Sequence, residues 1–211
     1  MKHDLVHVVD DDEAVRNTLS LLLHANGYRV RPWSSGEAML ANDFDSEPAC
    51  VLIDLRAPTA ADLDLLEAIN RRGTMVATII LSEQADVRTA VAALQRGAAN
   101  FIAMPAESEL LLNGIRDVLG SLHNRQAADA RRRDAIAQLG KLSPRELEVL
   151  YGVASGKQNK VIALELGISP RTVEVYRANI MEKMNCRTLA GILRIAFIAG
   201  LLEDNVIAGA A

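Results

Sequence analysis

Three aspartates stand where their carboxylates could bind one metal ion together. Asp10 and Asp11 directly follow the apolar run LVHVV, and Asp54 directly follows ACVLI. Carboxylates brought close together repel one another and stay ionised only with a compensating cation, and Mg²⁺ prefers oxygen ligands. If the two runs lie side by side, these residues predict a magnesium site. The alternative is that the acids cap a helix, and we assign that simpler role to Asp12.

NFIA is another apolar run, and a basic residue directly after it would balance the negative charge of these acids. Met104 stands there, directly before Pro105. A methionine carries no charge, and the simplest interpretation of Met104 is that an unbranched side chain fills a gap in the core. Ser82 closes a further run, VATIIL, and adds a hydroxyl to the same group of strand ends.

Short unbroken apolar runs are typical of parallel strands that are buried on both faces. The weaker run YRVRPW gives a fifth strand, and apolar residues recur at helical spacing between the runs. The predicted fold is α/β, a doubly wound five-stranded parallel sheet, which places ligand sites at the carboxyl ends of its strands. The helical stripes are Val15, Leu19, Leu22 and Leu23, then Leu63, Leu66 and Ile69, then Val87, Val91 and Leu94.

Charge divides the 211 residues into an acidic front and a mildly basic back. Residues 1–123 carry 10 Lys and Arg against 18 Asp and Glu, residues 124–140 carry 4 against 2, and residues 141–211 carry 9 against 7. The middle stretch contains three consecutive arginines and has little apolar periodicity. We predict a first domain at 1–123, a solvated and partly helical linker at 124–140, and a second domain at 141–211.

Composition excludes several classes of protein. No apolar run approaches the roughly 20 residues that span a bilayer, and the N-terminus is unlike a secretory signal. Cys50 and Cys186 are far apart, with no histidine clustered near them, which argues against a zinc site or a disulfide framework. We expect a cytoplasmic protein with no membrane partner.

The segments VHVVDDDEAVRNTL, VLIDLRAP, IILS and FIAMP, in this order, resemble a response-regulator receiver domain over about residues 3–122. The resemblance implies that Asp10 and Asp11 hold Mg²⁺ and that Asp54 accepts a phosphoryl group from a sensor histidine kinase in a phosphorelay. It also implies that Ser82 hydrogen-bonds that group and that the rotamer of Phe101 reports the state.

Two positions depart from the receiver pattern. The family places a lysine where this sequence has Met104, and it usually places a glycine where Asp62 stands. The Met104-Pro105 peptide resembles one that the family keeps cis. Losing the lysine removes a charge-assisted contact to the phosphoryl group, so we expect phosphorylation to be weak or poorly coupled to the output.

Helix signals dominate the last 70 residues. Ser143 is a natural N-cap with Pro144 after it and Glu146 three residues on, which is a capping box. A short helix then ends at Gly167, and Ser169 with Pro170 starts another. This pattern predicts a helix-turn-helix within a C-terminal all-α domain of four helices.

The second helix of that pair has an outward face that could enter the major groove of double-stranded DNA. Val175 and Ala178 can contact thymine methyl groups, and Glu174 can accept from cytosine, while basic and hydroxyl side chains contact phosphates. The candidate DNA-binding residues are Lys160, Ser169, Arg171, Thr172, Glu174, Val175, Tyr176, Arg177, Ala178 and Lys183. The alternative is an amphipathic, solvated helix.

Residues 141–202 closely resemble a LuxR-type helix-turn-helix, and the whole chain resembles response regulators of the FixJ and NarL type. The resemblance implies a homodimer joined by a final helix that carries Leu189, Ile192, Leu193, Ala196 and Phe197. We therefore predict a DNA-binding transcription regulator, not an enzyme, whose receiver controls dimerisation and DNA binding.

Two other functions stay open at this point. One is a Mg²⁺-dependent phosphohydrolase with an aspartyl-phosphate intermediate, although that chemistry usually needs an acid where Arg56 stands. The other is a phosphorylation-independent regulator that is controlled by partner contact alone.

Overall fold

The structure, a computed structural model, describes residues 4–55, 60–72, 75–84 and 86–201. The chain folds as two compact units, residues 1–126 and residues 127–211. The point of division falls inside the stretch 124–140, and residues 124–139 are helical.

The first unit contains the strands β1 Leu5–Val9, β2 Arg29–Trp33, β3 Ala49–Asp54, β4 Val76–Ser82 and β5 Asn100–Ala103. They form a parallel sheet with strand order β2-β1-β3-β4-β5. This order confirms the doubly wound five-stranded fold. The chain passes from β1 to β2 on one side and then crosses back over β1 to β3 on the other side, so a crevice opens beyond the carboxyl ends of β1 and β3.

Alternate strand residues feed two apolar layers, as the two-residue period of a strand requires. Leu5 and Val9 of β1 pack on one face with Leu66 and Ile69 of α3 (Ala60–Arg72). Val6 and Val8 pack on the other face with α1 (Glu13–Ala25) and α5 (Ser108–Leu139). The helices of this part of the chain are α1 Glu13–Ala25, α2 Gly36–Leu40, α3 Ala60–Arg72, α4 Val87–Gln95 and α5 Ser108–Leu139.

Helix α4 differs from the other helices in where its apolar stripe lies. Val87 is 80% exposed, Val91 45% and Leu94 48%, whereas Ala93 is the buried residue of α4. The small Ala93 side chain therefore faces the sheet, and the larger apolar side chains face solvent.

The second unit contains α6 Pro144–Ala154, α7 Asn159–Leu166, α8 Pro170–Lys183 and α9 Leu189–Ile198. Its core joins Val149 and Leu150 of α6 to Ile162, Val173 and other buried residues of α7, α8 and α9. Leu139, the last residue of α5, belongs to the same core. The predicted four-helix domain is confirmed.

The local signals at the helix ends are also confirmed. Ser143 and Glu146 form a reciprocal capping box, and Ser169 caps α8 with Pro170 in the first turn. Gly167 closes α7 with φ 66°, a left-handed conformation that favours glycine. Within the described residues, no helix has both the length and the apolar character needed to cross a bilayer.

Candidate functional site

A cleft of about 430 Å³ lies at the carboxyl ends of β1 and β3, and acidic residues dominate its polar lining. Asp10 and Asp11 follow β1, and Asp54 ends β3, so the fold brings the predicted acids to one cleft. Glu37 and Asp62 join them. None of the described lining residues is basic, so the cleft is strongly negative.

Asp10 is the most deeply buried of these acids, with 4% of its surface exposed. Its Oδ1 accepts a hydrogen bond from the Asp12 N–H at 2.7 Å. Its Oδ2 is buried and has no hydrogen-bond partner among the described residues. An unpartnered buried oxygen is costly unless a cation or donor satisfies it. This oxygen and the carboxylates around it are a donor set that fits Mg²⁺.

The described carboxylates line one cleft but do not form a compact cluster. In the part of the chain that the structure describes, no three His, Cys, Asp or Glu side chains are grouped closely enough to hold a metal. Asp12 caps α1, because its carboxylate accepts from the Ala14 N–H at 2.8 Å. The simpler role assigned to Asp12 is therefore confirmed.

Ser82 ends β4 and Met104 directly follows β5, whereas Phe101 lies near the start of β5. None of the three is among the residues that line the cleft. Ser82 is fully buried, and its hydroxyl accepts from the Gln84 N–H at 3.3 Å. Phe101 is half-buried against the core layer of α3. Met104 packs against the apolar layer of α1 and α5, and its peptide bond to Pro105 is cis.

His7 is a fully buried polar residue in the middle of β1. The indole N–H of Trp33 donates to His7 Nδ1 at 2.9 Å, so the imidazole carries its proton on Nε2, which donates to the Phe44 carbonyl at 3.1 Å. Desolvation by burial lowers the pKa of His7 to about 4. The neutral ring therefore fixes the end of β2, which leads into the cleft.

The exposed face of α8 carries Arg171, Glu174, Val175 and Ala178, and Val175 is 52% exposed. The opposite face buries Val173, Ile180 and Met184 in the core. Lys160 is exposed on α7. The outward and inward faces of α8 are those that the apolar spacing predicts.

Several of the predicted DNA-binding residues also form hydrogen bonds to other residues of the second unit. Arg177 donates to Asn159 Oδ1 at 2.7 Å, and Lys183 Nζ lies 2.7 Å from Glu146 Oε2. The Ser169 hydroxyl accepts from the Thr172 N–H at 3.0 Å and shares a hydrogen bond with the Thr172 hydroxyl. The half-buried Tyr176 packs against the core.

Comparisons with known proteins identify the families that the two parts of the chain resemble. Residues 6–116 match the family described as response regulator receiver domain, and residues 140–196 match the bacterial regulatory proteins of the luxR family. The chain belongs to the response regulators. It combines a receiver with a LuxR-type DNA-binding domain, and this combination is a DNA-binding transcription regulator of a two-component system.

Relatives match this response regulator over most of its length. The transcriptional regulatory protein FixJ of Azorhizobium caulinodans is 41% identical over 200 residues, covering 93% of each chain. FixJ of Rhizobium meliloti is 38% identical, covering 92% of this chain and 96% of its own. These relatives are transcriptional regulators and not enzymes, so the phosphohydrolase hypothesis is wrong.

Solved structures of response regulators also superpose on this chain. The response regulator StyR superposes with a TM-score of 0.78 at 31% identity, covering 92% of this chain and 98% of that one. Full-length FixJ from B. japonicum superposes with a TM-score of 0.57 at 34% identity, covering 96% and 100%.

The sequence does not single out every residue that shapes the two sites of this response regulator. His7 lies inside an apolar run, and the local sequence does not indicate which residues it hydrogen-bonds. Glu37 lies in the first turn of α2 and lines the cleft, which the local sequence does not indicate. Glu146 is recognised as a cap, but its burial and its ion pair with Lys183 depend on an element 37 residues away.

Proposed function

We propose that this response regulator receives its input at Asp54, from a sensor histidine kinase. The observation that carries the proposal is the acidic cleft in which Asp54 lies with the buried Asp10. The Asp54 carboxylate would attack the phosphorus of a phosphohistidine as the nitrogen–phosphorus bond breaks. Ser82 would hydrogen-bond the new phosphoryl group, and Phe101 would change rotamer with the state.

Asp10, Asp11 and Asp54 would hold Mg²⁺ in this reaction. The ion would supply positive charge where the phosphoryl oxygens gather negative charge. Asp10 has a specific part, since its buried Oδ2 has no other partner in the described chain. Met104 provides no ammonium, so we propose that phosphorylation is slow or poorly coupled to the output.

The output is DNA binding by α8. Arg171, Glu174, Val175 and Ala178 would meet base edges in the major groove, and the other candidates would position the helix on phosphates. The phosphate-contacting candidates are Lys160, Ser169, Thr172, Tyr176, Arg177 and Lys183. Val175 supports this arrangement, because a half-exposed apolar side chain on a groove-sized helix can contact thymine methyl groups.

We place the protein in the cytoplasm, with residues 1–123 as receiver, 124–140 as linker and 141–211 as DNA-binding domain. The active form would be a homodimer joined through α9, whose Phe197 is 63% exposed. Operators should then contain two half-sites related by a two-fold axis.

The test begins by selecting a duplex that the protein binds from a random pool. A small phosphodonor with Mg²⁺ is then added. Phosphorylation of Asp54 is followed by intact-protein mass spectrometry, and dimerisation is followed by sedimentation. We expect added mass on the wild type and none on Asp54→Asn, with tighter DNA binding after modification. Equal DNA affinity for both proteins, with and without donor, would reject control through Asp54.

A second candidate is control by a partner without phosphorylation. It is favoured by one observation, which is that the described lining of the cleft has several acids and no basic side chain. Under this hypothesis Asp54→Asn regulates DNA binding normally in cells that contain the partner.

A further inference from the structure

A second cavity of the first unit, called here the arginine cavity, lies at the edge of the sheet opposite to the acidic cleft. It has a volume of about 700 Å³ and opens at the amino ends of β4 and β5. Val76, Ala77, Ala98 and Ala99 give it a small apolar surface. Its polar lining comes from α3, from the end of α4 and the turn after it, and from α5. The polar lining residues are Glu67, Asn70, Arg71, Gln95, Arg96 and Arg125.

Positive charge is concentrated in the arginine cavity, although the first unit as a whole is acidic. The unit carries 11 Lys and Arg against 18 Asp and Glu, yet the described lining has three arginines and one glutamate. The lining therefore has an excess of two positive charges.

The single glutamate of this lining is already shared between two of the arginines. Glu67 Oε2 lies 2.5 Å from Arg71 Nη2, and Glu67 Oε1 lies 2.9 Å from Arg96 Nη1. Arg96 also lies 3.2 Å from the largely exposed Asp64, which is outside the lining. Arg125 has no hydrogen bond or ion pair among the described residues, so its guanidinium group can bind a ligand.

An asparagine and a glycine hold the walls of the arginine cavity together. Asn70 Nδ2 donates to the Arg96 carbonyl at 3.2 Å, which joins α3 to the turn after α4. Gly97 has φ 95°, a left-handed conformation that favours glycine, and a Cβ atom there would lie 2.6 Å from Asn70 Nδ2. The Gly97 N–H donates to the Leu94 carbonyl at 3.0 Å. These contacts join the walls without a ligand, which reduces the cost of ordering them on binding.

The charge and the volume of the arginine cavity indicate the class of ligand. Guanidinium groups bind phosphate and carboxylate groups through paired N–H donors. A phosphate monoester carries a charge of about −1.5 to −2 at pH 7, which matches the excess of two positive charges, whereas one carboxylate would balance only half of it. Small-molecule sites have volumes of about 300–1,000 Å³ and combine apolar surface with a few polar groups, as this cavity does.

We propose that the arginine cavity binds a small organic phosphate monoester. Arg125 would donate to the phosphoryl oxygens, because it has no other partner in the described chain. Arg71 and Arg96 would add positive charge while they stay paired with Glu67. The body of the ligand would lie against the apolar surface at the amino ends of β4 and β5. This site is separate from the acidic cleft and does not require phosphorylation of Asp54.

The test is calorimetric titration of the full-length protein with phenyl phosphate, AMP and inorganic phosphate in a buffer that contains EDTA. EDTA removes divalent cations that could draw phosphate to the acidic cleft. We expect both esters to bind at least fivefold more tightly than inorganic phosphate, because only the esters have a body that contacts the apolar surface.

Arg125→Gln should weaken the binding of both esters at least tenfold. The matched control is Arg116→Gln, because Arg116 lies in the same helix, is exposed and loses the same charge. Arg116 donates to Asn113 Oδ1 at 2.8 Å and does not line the arginine cavity. This control should change the affinity for either ester less than twofold.

Glu67→Gln gives a prediction of the opposite sign. This change removes the acid of the described lining and releases Arg71 and Arg96, so both esters should bind at least threefold more tightly. The matched control is Glu47→Gln, which releases Arg29 from a similar ion pair of 2.5 Å outside the cavity. Glu47→Gln should change the affinity less than twofold, which separates a local effect from that of the net charge.

Hydrogen exchange locates the bound ester in the wild type. Exchange should slow at residues 95–99, in the turn after α4, and should stay unchanged at residues 10–14 beside the acidic cleft. Asp54→Asn should bind both esters as tightly as the wild type. A loss of binding in Asp54→Asn would place the phosphate in the acidic cleft and overturn the proposal.

Three further results would overturn the proposal. They are no binding of either ester at millimolar concentration, equal affinity of Arg125→Gln and Arg116→Gln for the esters, and equal affinity of the wild type for the esters and inorganic phosphate. Circular dichroism with thermal unfolding checks that each variant is folded.

Discussion

At the scale of single residues, His7 makes folding of the first unit depend on pH. Its folded pKa of about 4 lies below its ordinary value of 6.5, so the unfolded chain binds more protons between these two values. The stabilisation is complete above pH 6.5 and is lost as the pH falls toward 4. Because each pKa unit corresponds to about 1.4 kcal/mol, the loss approaches roughly 3 kcal/mol.

The measurement is urea unfolding followed by Trp33 fluorescence. Between pH 7 and pH 5 the free energy of unfolding should fall by about 2 kcal/mol in the wild type, a window in which unfolded carboxyl groups are largely ionised. His7→Asn should show little of this fall, and the exposed His24→Asn should keep it. An unchanged slope in His7→Asn would mean that another group titrates.

Two lysines that the sequence places in the same DNA-contacting class should behave differently. Lys183 pairs with Glu146, which is 2% exposed and caps α6, whereas Lys160 is exposed on α7. Removing the donor from a buried carboxylate is destabilising, and we expect Lys183→Gln to cost about 1–2 kcal/mol because Lys183 is itself partly solvated. Lys160→Gln should leave stability unchanged.

Hydrogen exchange of α6 peptides and salt-dependent DNA binding distinguish the two roles. Lys183→Gln should exchange faster in α6. Lys160→Gln should exchange normally, bind DNA more weakly and lower the salt slope by about one. Normal exchange in Lys183→Gln would remove the structural role of this ion pair.

At the scale of elements, the approach of α6 to α7 depends on Gly152. A Cβ atom there would lie 2.7 Å from Ile162 Cγ1, and the β-branched Ile162 is stiff. Overpacking typically costs about 1–3 kcal/mol, which outweighs the gain of about 1 kcal/mol from replacing a helical glycine by alanine. We expect Gly152→Ala to destabilise the second unit, as measured by thermal unfolding.

Gly120 is the matched control for this argument. It also lies inside a helix, α5, but a Cβ atom there meets nothing within 4 Å. Gly120→Ala should therefore stabilise the protein by about 0.5–1 kcal/mol through helix propensity alone. Stabilisation by both substitutions would show that Ile162 moves aside at little cost.

At the scale of the whole molecule, the side chain at position 104 should set how strongly phosphorylation of the receiver changes DNA binding. A lysine there would add a charge-assisted contact of roughly 1.5–3 kcal/mol to the phosphoryl group, which shifts a two-state equilibrium about ten- to a hundredfold. We expect Met104→Lys to increase the gain in DNA affinity that a phosphodonor produces by about tenfold. The measurement is DNA binding of the full-length protein with and without donor.

Met104→Leu is the neutral control, because it keeps the apolar contact of Met104 with the layer of α1 and α5. It should respond to the donor as weakly as the wild type does. A wild type that switches as completely and as quickly as Met104→Lys would show that Met104 only fills space.

The sequence by itself determined the strands, the helix ends and the edge of the sheet that carries Asp10, Asp11 and Asp54. Strands buried on both faces require unbroken apolar runs, and caps are hydrogen bonds between residues two or three positions apart. Both signals are therefore local. The outward face of α8 also followed from spacing alone, because the helical period fixes which residues share a face.

Only the tertiary structure decided which distant side chains meet. His7 finds its partners 26 and 37 residues away, and Glu37 and Asp62 reach the cleft from different helices. In helix α4 the apolar stripe is clear from the sequence and would predict a buried face, yet this stripe faces solvent. Periodicity states which residues share a face, but packing against the rest of the chain selects the face that is buried, and that selection depends on residues far away in sequence.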